Sequence, residues 1–312
     1  MSSMPLTQQP ELRRLAAADL EGAVAIDAAA GGDSRRAYFE RRLAAALRDP
    51  EHHLQYAAAD KAGLAGFALA RVLAGEFGRD RPGLLLEVIG VDPSRRGRGT
   101  GASLLAALER DAGRRGIGEL WTQASWRQDR MLRFLARAGF ELASPHVLEC
   151  AAQAGARGAE AETARDRYEV RTMSKDDLDA IVRIDRNLTG RERRAYMAQR
   201  LAEALGASAV RISLVARCED SIAGYAMARM DFGDFGRAEP VAVLDTLGVD
   251  PGFARRGVGA ALLSQLAVNL AALGIERIET TVAHEGFELL GFLYRAGFSR
   301  SPRLAFVKRL GR

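Results

Sequence analysis

The sequence predicts an α/β chain of two tandem domains, each a mixed, mainly antiparallel sheet flanked by helices. Residues recur at a fixed offset of 158: Asp19-Leu20 as Asp177-Leu178, Arg35-Arg36-Ala37-Tyr38 as Arg193-Arg194-Ala195-Tyr196, Gly90-Val91-Asp92-Pro93 as Gly248-Val249-Asp250-Pro251, and Gly139-Phe140 as Gly297-Phe298. A register that runs without a gap from Arg13 to Phe140 marks a duplicated unit. With 312 residues and 48% hydrophobic content, the chain can fill two cores. Within each copy the strand-like runs come first and helices cross over later, the order of a mixed rather than a purely parallel sheet.

Taken in order, each copy opens with a strand near residues 12–15 and a helix from Asp19, whose carboxylate is placed to cap it. A second helix over residues 35–47 puts Tyr38, Leu43 and Leu47 roughly on one face. Strands at 54–59 and 64–72 flank polar Asp60-Lys61 and Gly63, and an apolar strand at 84–91 follows a turn. A glycine-rich turn, a helix over 102–115, a strand at 119–124, a helix near 130–137 and closing strands complete the copy. Residues 151–167, rich in Ala, Gly and charge, read as a linker between domains at 1–150 and 168–312.

Composition removes several function classes. No run approaches the roughly 18 consecutive apolar residues of a membrane span, and the first ten residues lack a cationic stretch followed by an apolar run. A cytoplasmic protein without a membrane partner is expected. Cys150 and Cys218 are too few for a disulfide framework and are expected as buried thiols. The four histidines, His52-His53 included, lack metal-ligand spacing, and no metal is expected. The net charge of +5 rests on 42 arginines and three lysines with no aromatic-interleaved basic stripe, so a nucleic-acid partner is not expected.

The segment from Leu84 to Leu108 carries the chemistry. An apolar strand delivers Arg95-Arg96-Gly97-Arg98-Gly99-Thr100-Gly101 to the N-terminus of a helix held down by Leu104, Leu105 and Leu108. Glycines let the backbone curl so that successive N–H groups converge, and the helix dipole favours an anion there. Arg96 and Arg98 add charge-assisted hydrogen bonds. The arrangement suits a pyrophosphate. A Walker loop is excluded, since no Gly-Lys-Ser or Gly-Lys-Thr exists. Gly97-x-Gly99-x-x-Ala102 is a weak dinucleotide match that falls late in the domain.

Val91-Asp92-Pro93, then Arg96-x-x-Gly99-x-Gly101 and Leu104-Leu105, resembles the acetyl-CoA motif of the GNAT acyltransferase superfamily. The resemblance extends over both copies and implies acetyl-CoA as cofactor, bound through its pyrophosphate by residues 96–101. It also implies a preceding strand that parts from its neighbour and pairs with pantetheine through Ile89 and Val91. In the second copy the same roles fall to Leu247, Val249, Arg255, Arg256, Gly257, Val258, Gly259 and Ala260, but Ala254 replaces the arginine at the motif's first position.

Direct transfer to an amine needs a base for the acceptor and an acid for the leaving thiolate. Glu87 and Asp245, at equivalent positions four residues before the Val of Val-Asp-Pro, share a face with Ile89/Val91 and Leu247/Val249 by period 2. Each is a candidate base or, equally, a strand carboxylate bonded to an arginine. The tyrosine that the family places four residues before Gly-Phe is here Leu135 and Leu293, leaving Tyr294 one position off as a candidate acid. The asparagine near the start of that helix is Gln128 and Gly286.

Arg35-Arg36 and Arg193-Arg194 are read as a solvated helix face or as recognition of an acidic acceptor. Asp231-Phe232-Gly233, with the related residues 76–79, reads as a strand-connecting turn. Trp121 and Trp126 are packing residues or stack on an acceptor. The expectation is an N-acetyltransferase acting on an amine of a small molecule, a protein lysine or an N-terminus, as monomer or homodimer. The rival is a CoA-binding sensor or interaction module without turnover.

Overall fold

The computed structural model describes residues 10–31, 34–73, 81–155, 159–206, 210–283 and 286–311. The first copy comprises strands β1 (Glu11–Arg14), β2 (His53–Asp60), β3 (Gly63–Leu73), β4 (Gly83–Val91), β5 (Glu119–Ser125), β6 (Glu141–Leu142) and β7 (His146–Ala151). Its helices are α1 (Leu20–Gly31), α2 (Arg36–Arg48), α3 (Thr100–Arg114) and α4 (Asp129–Arg137). Two linker helices follow, α5 (Ala152–Gly155) and α6 (Ala159–Arg167). The second copy repeats the series: β8 (Glu169–Thr172), α7 (Leu178–Thr189), α8 (Arg194–Ala204), β9 (Leu214–Cys218), β10 (Ser221–Asp231), β11 (Val241–Val249), α9 (Val258–Ala272), β12 (Arg277–Val282), α10 (Phe287–Arg295), β13 (Ser299–Arg300) and β14 (Arg303–Arg309).

These elements build two seven-stranded sheets, each antiparallel except for one parallel pair, β4 with β5 and β11 with β12. The sheets do not coincide with the sequence copies, because the last strands are exchanged. β7 pairs with β12 and β13, while β14 pairs with β5 and β6. Two equivalent strands satisfy the same slot, so exchanging them preserves every ladder bond while tying the copies together. Gln123 Nε2 donates to Thr281 Oγ1 at 3.2 Å, a contact between equivalent residues beside an approximate two-fold axis.

Each sheet is covered on both faces. In the first, Leu84, Leu86, Leu104, Leu108, Leu120 and Leu135 fill one side, and Phe39, Leu43, Phe67, Leu69 and Val88 fill the other. Asp19 caps its helix start by accepting from the N–H of Ala16 at 2.8 Å and pairs with Arg13. Two details of α2 differ from the sequence expectation. Leu47 is 73% exposed, since nine positions from Tyr38 are half a turn off its face. Arg35 is buried against Asp27 rather than solvated, and Arg193 repeats the pairing with Asp185; only Arg36 and Arg194 reach solvent. Cys150 is buried and Cys218 half-buried, both as free thiols. Among the described residues no helix is long and apolar enough to cross a membrane.

The repeated helices α3 and α9 differ for a structural reason. α3 presents Glu109 and Arg110, whereas α9 has Ala267 and Val268 at the equivalent positions. The linker helices lie along α9, where Ala152 and Ala164 join its core. Ala267 is fully buried, as that second covering layer requires, while Val268 stays 37% exposed.

Candidate active site

The first glycine turn begins with Asp92, whose carboxylate accepts from the N–H of Ser94 at 2.9 Å and caps a short 3₁₀ turn. Gly97 and Gly99 have φ of +78° and +83°, values that exclude a side chain without strain. Gly99 is the N-cap of α3, and a Cβ at either glycine would meet nothing within 4 Å. The first N–H groups of α3 therefore lie open to a ligand at the helix's positive end. Arg98 is exposed beside them, and Arg96 Nε donates to the carbonyl of Val91 at 3.1 Å.

The second turn keeps the path with different residues. Gly257 replaces Gly99 at φ +92°, and Arg255 holds the position of Gly97 at φ +60°. A non-glycine residue there carries about 1–2 kcal/mol of strain. The linker and the residue that follows it brace this turn, with the Tyr168 hydroxyl donating to the carbonyl of Arg256 at 2.9 Å and Ala164 3.4 Å from where a Cβ on Gly257 would stand. A trans peptide then points the N–H of Gly257 away from the linker. Arg255 and Arg256 are exposed beside it, although Ala254 removes the first arginine.

Both parallel strand pairs open into a wedge. β4 pairs with β5 only at Leu84–Leu120 and Leu85–Trp121, and β11 with β12 only at Ala242–Ile278 and Val243–Glu279. Thr122 Oγ1 donates to the carbonyl of Leu86 and Thr280 Oγ1 to that of Leu244, each at 2.9 Å, at the base of the wedge. The backbone of Ile89, Val91, Leu247 and Val249 lies beyond these pairings.

Glu87 and Asp245 sit at identical β-bulges. Leu86 and Val88 oppose Ala70 and Leu69, leaving Glu87 as the extra residue; Asp245 is extra between Leu244 and Thr246. A bulge interrupts the alternation of faces, so the expected shared face is not formed. Ile89 packs on the α3 side, while Glu87 turns to α2.

Their surroundings then diverge. Glu87, 3% exposed, accepts from Arg42 Nε at 2.6 Å and lies 3.3 Å from Arg71. Asp245 has one looser partner, Arg229 at 3.4 Å, and lines two small cavities of about 80 and 140 Å³.

The turn after β10 reaches across to the first copy. The carbonyl of Gly233 accepts from Arg35, Phe232 lies under Arg41 at 4.0 Å, and the Tyr38 hydroxyl donates to Asp234 Oδ1 at 3.0 Å. A Cβ on Gly233 would stand 2.6 Å from the Tyr38 ring, so only glycine fits. Burial, then the charges of Asp231 and Glu87, raise the Asp234 carboxyl to about 7. Asp231-Phe232-Gly233 leads into the expected strand-connecting turn, and its docking on the first copy has no local sequence signal; residues 76–79 lie outside the described residues. Tyr294 is 44% exposed and lines neither cavity beside Asp245, whereas Leu135 and Leu293 fill the cores. Trp121 bonds Glu119 and faces the copy boundary, and Trp126 is exposed.

A family model for the acetyltransferase (GNAT) family matches residues 18–140 and again 178–298. The chain belongs to the GNAT acetyltransferase family. Solved structures share the tandem GNAT fold at low identity. A GCN5-related glucosamine N-acetyltransferase region of a fungal multi-domain GH3 β-N-acetylglucosaminidase superposes with TM-score 0.68 at 14% identity, over 95% of this chain and 38% of that larger one. A tandem GNAT protein of the clavulanic acid biosynthesis pathway gives 0.63 at 16% identity, over 97% and 99% of the two chains. A GCN5-related N-acetyltransferase from Sphaerobacter thermophilus gives 0.60 at 18%, over 97% and 96%.

Proposed function

We propose that this GNAT protein moves an acetyl group from acetyl-CoA to a primary amine, that the second copy carries out the transfer, and that the first binds acetyl-CoA without turnover. The observation that carries this division is the contrast between Glu87, held by Arg42 and Arg71, and Asp245, also buried but with one looser partner and two small cavities beside it. Both turns suit a pyrophosphate. Residues 97–101 with Arg96 and Arg98 would hold one, and the N–H groups of Gly257 to Ala260 with Arg255 and Arg256 the other. The open edges of β4 and β11 are placed to pair with pantetheine at Ile89, Val91, Leu247 and Val249.

When bound, acetyl-CoA supplies the activated acyl carbon as a thioester. With it bound, Asp245 would accept the proton of the incoming amine, directly or through one water, while the acyl group passes from sulfur to nitrogen. Solvent would protonate the departing thiolate and take the proton from Asp245, so atoms and charge balance over the cycle. β11 and β12 would hold the reacting groups in their wedge, at whose base Thr280 Oγ1 donates to the carbonyl of Leu244.

Titration of CoA-stripped protein with acetyl-CoA in a calorimeter tests the reading. Two equivalents are expected; no binding would overturn the acetyltransferase assignment. One equivalent, lost in Gly257→Val and kept in Gly99→Val, would leave the transfer site and remove the role given to the first copy.

A further inference from the structure

A groove of about 1500 Å³ runs along the boundary between the copies. One wall is the C-terminal half of α3 with β5 and β14; the other is the end of β12 at Thr281 and Ala283. Trp121 and Thr281 line both this groove and the 80 Å³ cavity that Asp245 lines. Trp121 and Thr281 thus form a shared wall, with the groove on one side and the cavity at the carboxylate of the second copy on the other. The residues that shape the groove come largely from the first.

The groove is not a by-product of the repeat. Its counterpart along α9 is covered by α5, with the N–H of Ala152 bonded to the carbonyl of Glu276 at 2.7 Å. Along α3 the wall stays open and is charged. Arg81, Arg110, Lys308 and Arg309 face it with two carboxylates, Glu109 and Glu119. Lys308 pairs with Glu109 at 2.6 Å, and Glu119 accepts from the Trp121 indole at 3.0 Å. Arg81, Arg110 and Arg309 are exposed, and no ion pair joins them to another described residue. The lining thus keeps a positive excess that attracts anions and repels polycations.

We infer that the acceptor is a small amine bearing an anionic group, a carboxylate or a phosphate ester, held in this groove with its amine directed past Trp121 to Asp245. The inference rests on the reading of the second copy as the seat of transfer. The arginines fix the anionic end through charge-assisted bonds, and Trp121 covers the aliphatic span between the two ends.

Three probes that share an aminoethyl group test it: O-phosphoethanolamine, β-alanine and ethanolamine. Transfer is followed by thiol release, and binding to CoA-loaded protein by ligand-observed NMR. One or both anionic amines are expected to exceed ethanolamine by about tenfold or more in kcat/KM. The preference should shrink to about twofold in the Arg81→Glu/Arg110→Glu double variant, while calorimetric acetyl-CoA affinity is retained. Phosphate favoured over carboxylate, or the reverse, identifies the anionic group. Equal use of all three probes, or a preference that survives charge reversal, overturns the proposal. Binding of an anionic probe that charge reversal abolishes, without any transfer, would keep the groove and refute the catalytic reading. Absence of both binding and transfer overturns the groove.

Discussion

Glu87 and Asp245 occupy the same bulge in two copies of one domain, and they differ by a single methylene. The longer side chain reaches Arg42 on α2 at 2.6 Å. In the second copy the equivalent arginine, Arg200, bonds Glu203 on its own helix at 2.9 Å, where the first copy has Ala45. Cavities then remain beside Asp245. Two substitutions outside the glycine turns thus give one bulge carboxylate two close arginine partners and leave small cavities beside the other. Conversely, the second turn has lost an arginine and gained a brace, since Ala164 of the linker and Tyr168 just after it support it. A duplicated domain can keep its cofactor framework in both copies while its acceptor side specialises in one.

The largest effect expected from this comparison concerns the turns. Gly257→Val should reduce acetyl transfer by about a hundredfold or more, because φ of +92° resists a branched side chain and acetyl-CoA then cannot seat. Gly99→Val should remove one equivalent of acetyl-CoA and lower turnover by less than about tenfold; a steady-state assay with circular dichroism as a fold control checks both. Next, Glu87→Ala leaves Arg42 buried with its main partner gone, a loss of about 3–5 kcal/mol by urea unfolding. Asp245→Ala should cost clearly less stability, and equal losses would break the contrast.

The docked turn gives a pH signature. Asp234 lies near 7 in the folded protein against 3.8 ordinarily, raised by burial first and then by Asp231 and Glu87. The folded state therefore holds that proton more tightly, so its contribution to stability is complete below about pH 4 and lost as pH rises through about 7. Asp234→Asn should be more stable than the parent at pH 8, with the difference vanishing towards pH 4, in unfolding curves across that window. The smallest effect is that of Tyr168→Phe, which frees the Arg256 carbonyl and should weaken acetyl-CoA at the second turn by about 1 kcal/mol.

The duplication, the element order and the glycine turns were legible in the sequence because each rests on local spacing: a constant offset, apolar periodicity, and glycines where φ is positive. The strand exchange was not, since residues 146–151 and 303–309 have interchangeable patterns and either fits the same slot. The bulges leave no local mark, which is why period 2 put Glu87 on the wrong face. The burial of Arg35 and the docking of residues 232–234 depend on contacts about two hundred positions away. One signal was readable in principle. Ala267 stands where α3 carries Glu109, and so forecasts a covering layer over α9 alone.

The division of labour between the copies is tested most directly by comparing acetyl-transfer rates of Asp245→Asn and Glu87→Gln at saturating acetyl-CoA and acceptor. The expected result is a fall of about a hundredfold or more for Asp245→Asn, the contribution of a general base, and of less than about tenfold for Glu87→Gln. A large loss in Glu87→Gln with Asp245→Asn near the parent rate would place the chemistry in the first copy and contradict the assignment.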